Sequence, residues 1–237
     1  MAAAPVHTVL VPGLLCSARL YEPLLPTVWS RGAVTIADTR RDSTVEAMAR
    51  RLLAAAPDRF ALVGLSMGGY VALEVMRLAP ERVVALALIS TSARPDSPEQ
   101  RAGRRSQQVA VAAGRFSELV EQVFPALVDP GNVGRADLAD RWRTMAHELG
   151  PEAYLSQLEA TMARPDSRPM LGSIRCPVAV VHGVGDRLIA PGNAIETAEA
   201  IAGSRLTLVP DAGHMIAQEQ PDAVAAAVAA LLDGVTS

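Results

Sequence analysis

Aromatic side chains make up only 3% of this 237-residue chain, although half of its residues are hydrophobic. Packing must therefore rest on Ala, Val and Leu. Cysteine is equally scarce. Cys16 and Cys176 stand far apart, which excludes a disulfide framework and reads as reduced thiols in a reducing, cytoplasmic compartment. Neither sign of charge dominates, the formal net charge being −3, so nucleic acid and polybasic membrane binding find no support. No apolar run is long enough to span a bilayer. The opening Met1-Ala2-Ala3-Ala4-Pro5 lacks a positive n-region and an apolar h-region, and is expected to be a short disordered lead rather than a signal peptide. The two Cys and four His show no metal-ligand spacing, so neither metal nor cofactor is expected.

What the chain does contain is alternation. Val6 to Val11, Ala33 to Ala37, Phe60 to Leu65 and Val83 to Ser90 read as short buried strands, with a helix over Ala47 to Ala56 opened by the cap Ser43-Thr44-Val45-Glu46. Continuous apolar strands separated by amphipathic helices indicate an α/β fold with a mostly parallel sheet covered on both faces. From about Ala93 to Gly172 strand-like runs vanish. Gly114, Pro125, Pro130-Gly131 and Gly150-Pro151 punctuate a helical region in which Arg101, Arg104 and Arg105 read as a solvated face. Alternation then resumes with strands at Val178 to Val181 and Leu206 to Val209, and helices at Asn193 to Ala202 and Asp222 to Leu232. The expectation is a sheet of about six strands formed by residues 1–92 and 173–237, with residues 93–172 inserted after the fourth strand as a helical lid. Ligand sites in open α/β sheets lie at the carboxyl ends of the strands, where such a lid would sit.

Gly64-Leu65-Ser66-Met67-Gly68 falls between the strand Phe60 to Val63 and a helix over Tyr70 to Leu78 that stops before Ala79-Pro80. A G-x-S-x-G segment in that setting is a nucleophile elbow, a strained turn that exposes the serine hydroxyl while glycines admit close helix–strand packing. A serine hydroxyl is a weak nucleophile until a base takes its proton, and the base needs an orienting acid. Asp186 follows the strand Val178 to Val181, and His214 follows the strand Leu206 to Val209. Both therefore project from the same sheet edge as Ser66, in the order Ser, Asp, His that this arrangement uses. Asp211 reads as a turn former and Asp38 as a poor partner. His7, His147 and His182 read as structural or solvent-facing, with His147 a candidate for lining the pocket. Acyl transfer also needs donors for the developing oxyanion. Met67 N–H, directly after the nucleophile, is one. The loop Pro12-Gly13-Leu14-Leu15-Cys16 should supply the second, from Leu14 or from Leu15, with Cys16 near enough to line the pocket.

Gly64-Leu65-Ser66-Met67-Gly68-Gly69, Ala79-Pro80-Glu81-Arg82-Val83, Gly183-Val184-Gly185-Asp186, Gly213-His214 and Glu219-Gln220-Pro221 together resemble the α/β-hydrolase superfamily over essentially the whole chain, in its small serine esterase branch. The resemblance extends to pimeloyl-carrier-protein methyl esterases, enol-lactonases and C–C bond hydrolases. It implies Ser66, Asp186 and His214 as the triad, Leu14 and Met67 as oxyanion donors, and a small ester or lactone as substrate. Two departures stand out. Pro12-Gly13 replaces the usual His-Gly pair, and the first strand corresponds to the family's third. Serine at the elbow argues against the haloalkane dehalogenase and epoxide hydrolase chemistry that uses a carboxylate nucleophile. The expected activity is cleavage of small carboxylic esters, with lactonase, thioesterase, C–C hydrolase and hydroxynitrile lyase as alternatives on the same machinery and a non-catalytic binder as the rival class.

Overall fold

A computed structural model of the chain describes residues 5–235; most of the lead expected over Met1 to Pro5 lies outside them. Six strands form one sheet, β1 (Thr8–Val11), β2 (Val34–Ile36), β3 (Phe60–Leu65), β4 (Val83–Ile89), β5 (Val178–Gly183) and β6 (Arg205–Val209). Their order is β2-β1-β3-β4-β5-β6 and every pairing is parallel. Parallel strands need crossovers, and these are α1 (Leu25–Trp29), α2 (Val45–Ala55), α3 (Met67–Leu78) and α8 (Gly192–Ala200), with α10 (Pro221–Asp233) closing the chain.

The four central strands β1, β3, β4 and β5 are buried on both faces, so their side chains divide with a period of two. Ala61, Val63 and Leu65 of β3 and Ala85, Ala87 and Ile89 of β4 pack with Leu20, Tyr21, Leu24, Val28 and α10 residues Val224 and Val228. Phe60 and Leu62, with Leu86 and Leu88, pack on the other face with Met48, Leu52, Val71 and Val75. α2 shows why its sequence is helical. Thr44 Oγ1 accepts the Ala47 N–H at 3.1 Å as its cap, and Val45, Met48, Ala49 and Leu52 recur on one buried stripe.

Between β4 and β5 the chain is helical: α4 (Pro98–Ala112), α5 (Phe116–Leu127), α6 (Ala136–Met162) and the short α7 (Arg168–Leu171). α4 opens with Ser97 and Gln100 in a capping box around Pro98. Gly114, at φ 77°, ends it as the sequence implied. Gly150, at φ 79° and ψ 174°, interrupts α6 in front of Pro151. Pro125, expected to end a helix, instead sits inside α5. A turn of 3-10 helix at Ala18–Leu24 and the short α1 and α9 (Ile216–Glu219) had no periodic signature and went unanticipated. Other boundaries differ by one to three residues: β1 begins at Thr8 rather than Val6, and α3 begins at Met67 rather than Tyr70. No helix among the described residues is long and apolar enough to cross a membrane.

Candidate active site

Ser66 occupies φ 55°, ψ −115°, a conformation unfavourable for any residue with a side chain. Four bonds hold it there. Its N–H donates to Ile89 O (2.9 Å), and its carbonyl accepts from Gly69 N–H (2.8 Å), Tyr70 N–H (3.4 Å) and Thr91 Oγ1 (2.8 Å). The flanking glycines are sterically required. A Cβ on Gly68 would lie 1.9 Å from Val11 O, and one on Gly64 would lie 2.3 Å from Gly68 O.

The three residues singled out from the sequence are brought into one row. Ser66 Oγ lies 2.8 Å from His214 Nε2, and His214 Nδ1 lies 2.7 Å from Asp186 Oδ2. The carboxylate fixes the tautomer: Nδ1 carries the proton it donates to Asp186, leaving Nε2 free to accept from the serine hydroxyl. The other carboxylate oxygen, Oδ1, accepts the N–H groups of Leu188 and Ile189, each at 2.9 Å. His182 completes the shell. Its Nε2–H is shared between Ile189 O (2.8 Å) and Asp186 Oδ2 (3.2 Å). Burial pushes the Asp186 carboxyl upward, but His214 and the hydrogen bonds from His182, His214 and Ile189 outweigh it and hold the group well below the usual carboxylate range.

The loop after β1 packs on the serine: a Cβ on Gly13 would lie 3.4 Å from Ser66 Cβ. A turn closed by Cys16 N–H to Gly13 O (3.1 Å) puts Leu15 at φ 56°. Leu15 N–H donates to Gln157 Oε1 at 2.9 Å, so it is already committed; Gln157 in turn donates to Thr39 O and Oγ1. The N–H groups of Leu14 and Met67 have no protein acceptor among the described residues. The Met67 side chain packs into the core.

Other residues from the sequence reading fall elsewhere. Asp211 is exposed in a turn at φ 53°, and Asp38 is tied to Arg40 and Arg41. His7 pairs with Thr35 Oγ1. His147 is exposed, edge-on to Phe116, and does not line the cavity, contrary to the possibility raised for it. Cys16 does line it; burial pushes its thiol up to about 12. Glu219, which nothing marked beyond its place before Pro221, accepts the N–H groups of Asp129 (2.7 Å) and Gly213 (2.8 Å) and so ties the His214 loop to the inserted helices. Gln157 and the buried pair Arg164–Asp96 were likewise missed, because their partners lie far away in the chain and no local pattern marks them.

Ser66 and His214 open into a cavity of about 960 Å³ at the carboxyl ends of the strands, walled on its far side by the inserted helices. Leu119, Val120, Val123 and Leu127 of α5 give it an apolar wall, with Trp142 beside them. Such a row beside two free N–H groups has the parts that acyl transfer needs: a hydroxyl, a base oriented by an acid, and donors for an oxyanion.

Comparison with known proteins identifies the family. A model of the alpha/beta hydrolase family matches residues 6–227. The chain is 30% identical over 226 residues to the pimeloyl-[acyl-carrier protein] methyl ester esterase of Aromatoleum aromaticum, covering 88% of this chain and 85% of the relative. Among solved structures it superposes on a thermophilic esterase from Thermogutta terrifontis, described as malate bound, at 27% identity and a TM-score of 0.89, covering 100% of this chain and 92% of that one. The enol-lactonase from Burkholderia xenovorans LB400 gives 26% identity and a TM-score of 0.87, over 97% of this chain and 91% of that one.

Proposed function

The chain belongs to the alpha/beta hydrolase family, and on that premise we propose that it is a serine hydrolase acting on small carboxylic esters, in cytoplasm. The observation that carries this reading is the row Ser66–His214–Asp186, with contacts of 2.8 and 2.7 Å, opening into a cavity that has an apolar wall on α5. Ser66 Oγ attacks the ester carbonyl as its proton passes to His214 Nε2, and the new C–O bond leaves a tetrahedral oxyanion facing the N–H groups of Leu14 and Met67. Asp186 stabilises the imidazolium so formed. Collapse breaks the bond to the alcohol oxygen, which takes the proton from His214. Water then gives a proton to His214 and its oxygen to the acyl carbon; the acid departs and Ser66 recovers its proton. Leu14 is preferred over Leu15 as second donor because Leu15 N–H is held by Gln157. Residues 93–172 act as the cap that shapes the acyl and alcohol pockets.

A lactone would follow the same steps with the leaving alkoxide still attached to the acyl group, and the likeness to an enol-lactonase favours that as the second reading. Hydrolysis of p-nitrophenyl acetate, butyrate and octanoate by the native protein and by Ser66→Ala tests the proposal. Turnover that disappears in the variant supports it. Equal turnover in both, or none in either with lactones also inert, contradicts it.

A further inference from the structure

A helix that closes a cavity normally turns its apolar stripe inward. α4 does not. Gln100, Gly103, Arg104 and Gln107 recur on one side of the helix and all line the cavity, and Val111 is its one fully buried residue. Arg104, expected on a solvated face, is turned inward, with 23% of its side chain exposed. On its α4 side the cavity is therefore polar.

That polar wall is also cationic. Asp96, with a fully buried side chain, gives one oxygen to each of two guanidinium groups: Oδ2 to Arg104 Nε at 2.8 Å and Oδ1 to Arg164 Nη1 at 2.6 Å. Arg164 is buried, bonded as well to Arg94 O and Thr161 O, with its guanidinium carbon 4.1 Å from the centre of the Tyr70 ring. Two cations thus share one anion. The Nη groups of Arg104 have no protein acceptor among the described residues. Arg94 and Arg168 also line the cavity but are balanced from outside it, by Glu196 and Asp166, whereas Arg187, exposed to solvent, donates to Pro125 O. Among the charged cavity-lining residues Asp96 is the sole acid. A protein of net charge −3 thus carries uncompensated positive charge in the wall of its cavity. An unpaired charge held away from bulk water is unfavourable unless an opposite charge joins it.

We propose that Arg104, backed by Arg164 and Asp96, binds a carboxylate carried by the substrate at the end remote from the scissile bond. This rests on the ester-hydrolase reading above and narrows its substrate class to half-esters of dicarboxylic acids, O-acyl hydroxy acids, and lactones that bear a second, free carboxylate. The cluster of Arg104, Arg164 and Asp96 carries two cations and one anion, which matches a monoanionic carboxylate rather than a phosphate dianion, and the planar Nη fork of Arg104 fits it bidentately. The α5 wall receives the aliphatic spacer. Tyr70 connects the nucleophile to the arginine pair: it lies one helical turn after Ser66 and its ring stacks on Arg164.

The test uses the native protein and neutral and anionic ligands of matched length. Monomethyl adipate should be hydrolysed with a kcat/KM at least tenfold above that of methyl hexanoate, and the advantage should shrink as salt rises. 6-Acetoxyhexanoate against hexyl acetate asks the same with the carboxylate on the alcohol side, and a preference in either pair supports the site. Adipate should compete with a neutral ester far better than adipamide. Arg104→Gln should cut the anionic-to-neutral ratio of kcat/KM by about ten- to a hundredfold, and Arg104→Lys should retain part of it. Calorimetric titration of adipate into Ser66→Ala protein reads the site without turnover, so it still decides the case if that variant folds and no ester is cleaved. Ser66-dependent turnover of neutral esters with no preference for the anionic partner, and with adipate binding no tighter than adipamide, would overturn the carboxylate site while leaving the hydrolase reading intact. Hexyl phosphate outcompeting adipate would overturn the choice of carboxylate. No hydrolysis of any ester or lactone would count against the hydrolase reading instead.

Discussion

At the scale of single residues, the contacts around Ser66 impose an order of importance. His214 is the only base in contact with Ser66 Oγ among the described residues, and Asp186 the only acid on His214. Ser66→Ala or His214→Ala should therefore lower kcat by about three to six orders of magnitude, with a residue of rate enhancement left to the oxyanion donors and to binding. Asp186→Asn should also cost several orders, because an amide can present its NH₂ to His214 and invert the tautomer. Steady-state kinetics on a p-nitrophenyl ester checks all three. The thiols make a separate prediction. Burial pushes Cys16 up to about 12 and Cys176 up to about 11, so both stay protonated at pH 8. Iodoacetamide at pH 8 should leave the folded protein unmodified by mass and label both cysteines after unfolding in guanidinium. The row of Ser66, Asp186 and His214 was legible in the sequence because each follows a strand whose apolar run is plain. Arg104 was misplaced for the converse reason. Its inward turn depends on Asp96 and Arg164, and Arg164 is 68 residues from Asp96.

At the scale of elements, the strand-to-helix turn is the least forgiving part of the fold. Gly68→Ala places a Cβ 1.9 Å from a backbone oxygen of β1, which no rotamer change can relieve. We expect insoluble protein or a large fall in Tm. At Gly103, in the middle of α4, a Cβ would meet nothing within 4 Å. Gly103→Ala should therefore stabilise by about 0.5–1 kcal/mol through helix propensity, raising Tm by about 1–4 °C in a chain of this size. Differential scanning calorimetry of the two variants reads both signs. The four central strands were legible because both of their faces are covered, which gives continuous apolar runs. Pro125 misled, since a proline in α5 was read as a break although the helix runs on to Leu127. The 3-10 turn at Ala18–Leu24 has no repeat period long enough to register.

At the scale of the whole molecule, carboxylates with lowered values set the acid limit. Hydrogen bonds from Arg40 bring Asp38 from its ordinary 3.8 down to about 2, and Asp186 is lowered as well. A lowered value means that the unfolded chain binds the proton more readily, so the stability these groups contribute is present above pH 3.8 and is lost as pH falls through the folded-state value. Glu219 runs the other way. Burial raises it despite hydrogen bonds from Asp129, Asn132 and Gly213, so its contribution is present at low pH and is lost as pH rises through its folded value. Urea unfolding between about pH 2 and 5 should show stability falling toward acid, with a shallower slope between pH 3.8 and about 2 in Asp38→Asn. The parallel sheet and the insertion after the fourth strand were legible from alternation and its loss. The cavity wall was not, because which face of α4 turns inward is decided by tertiary packing.

Activation of the Ser66 hydroxyl can be read with a fluorophosphonate probe. Incubation of the native protein followed by peptide mass spectrometry should find one adduct, on Ser66, formed rapidly at neutral pH and absent from the His214→Ala variant. An unmodified Ser66 in protein that is folded and open to the probe, or an adduct that forms as fast without His214, would contradict the account.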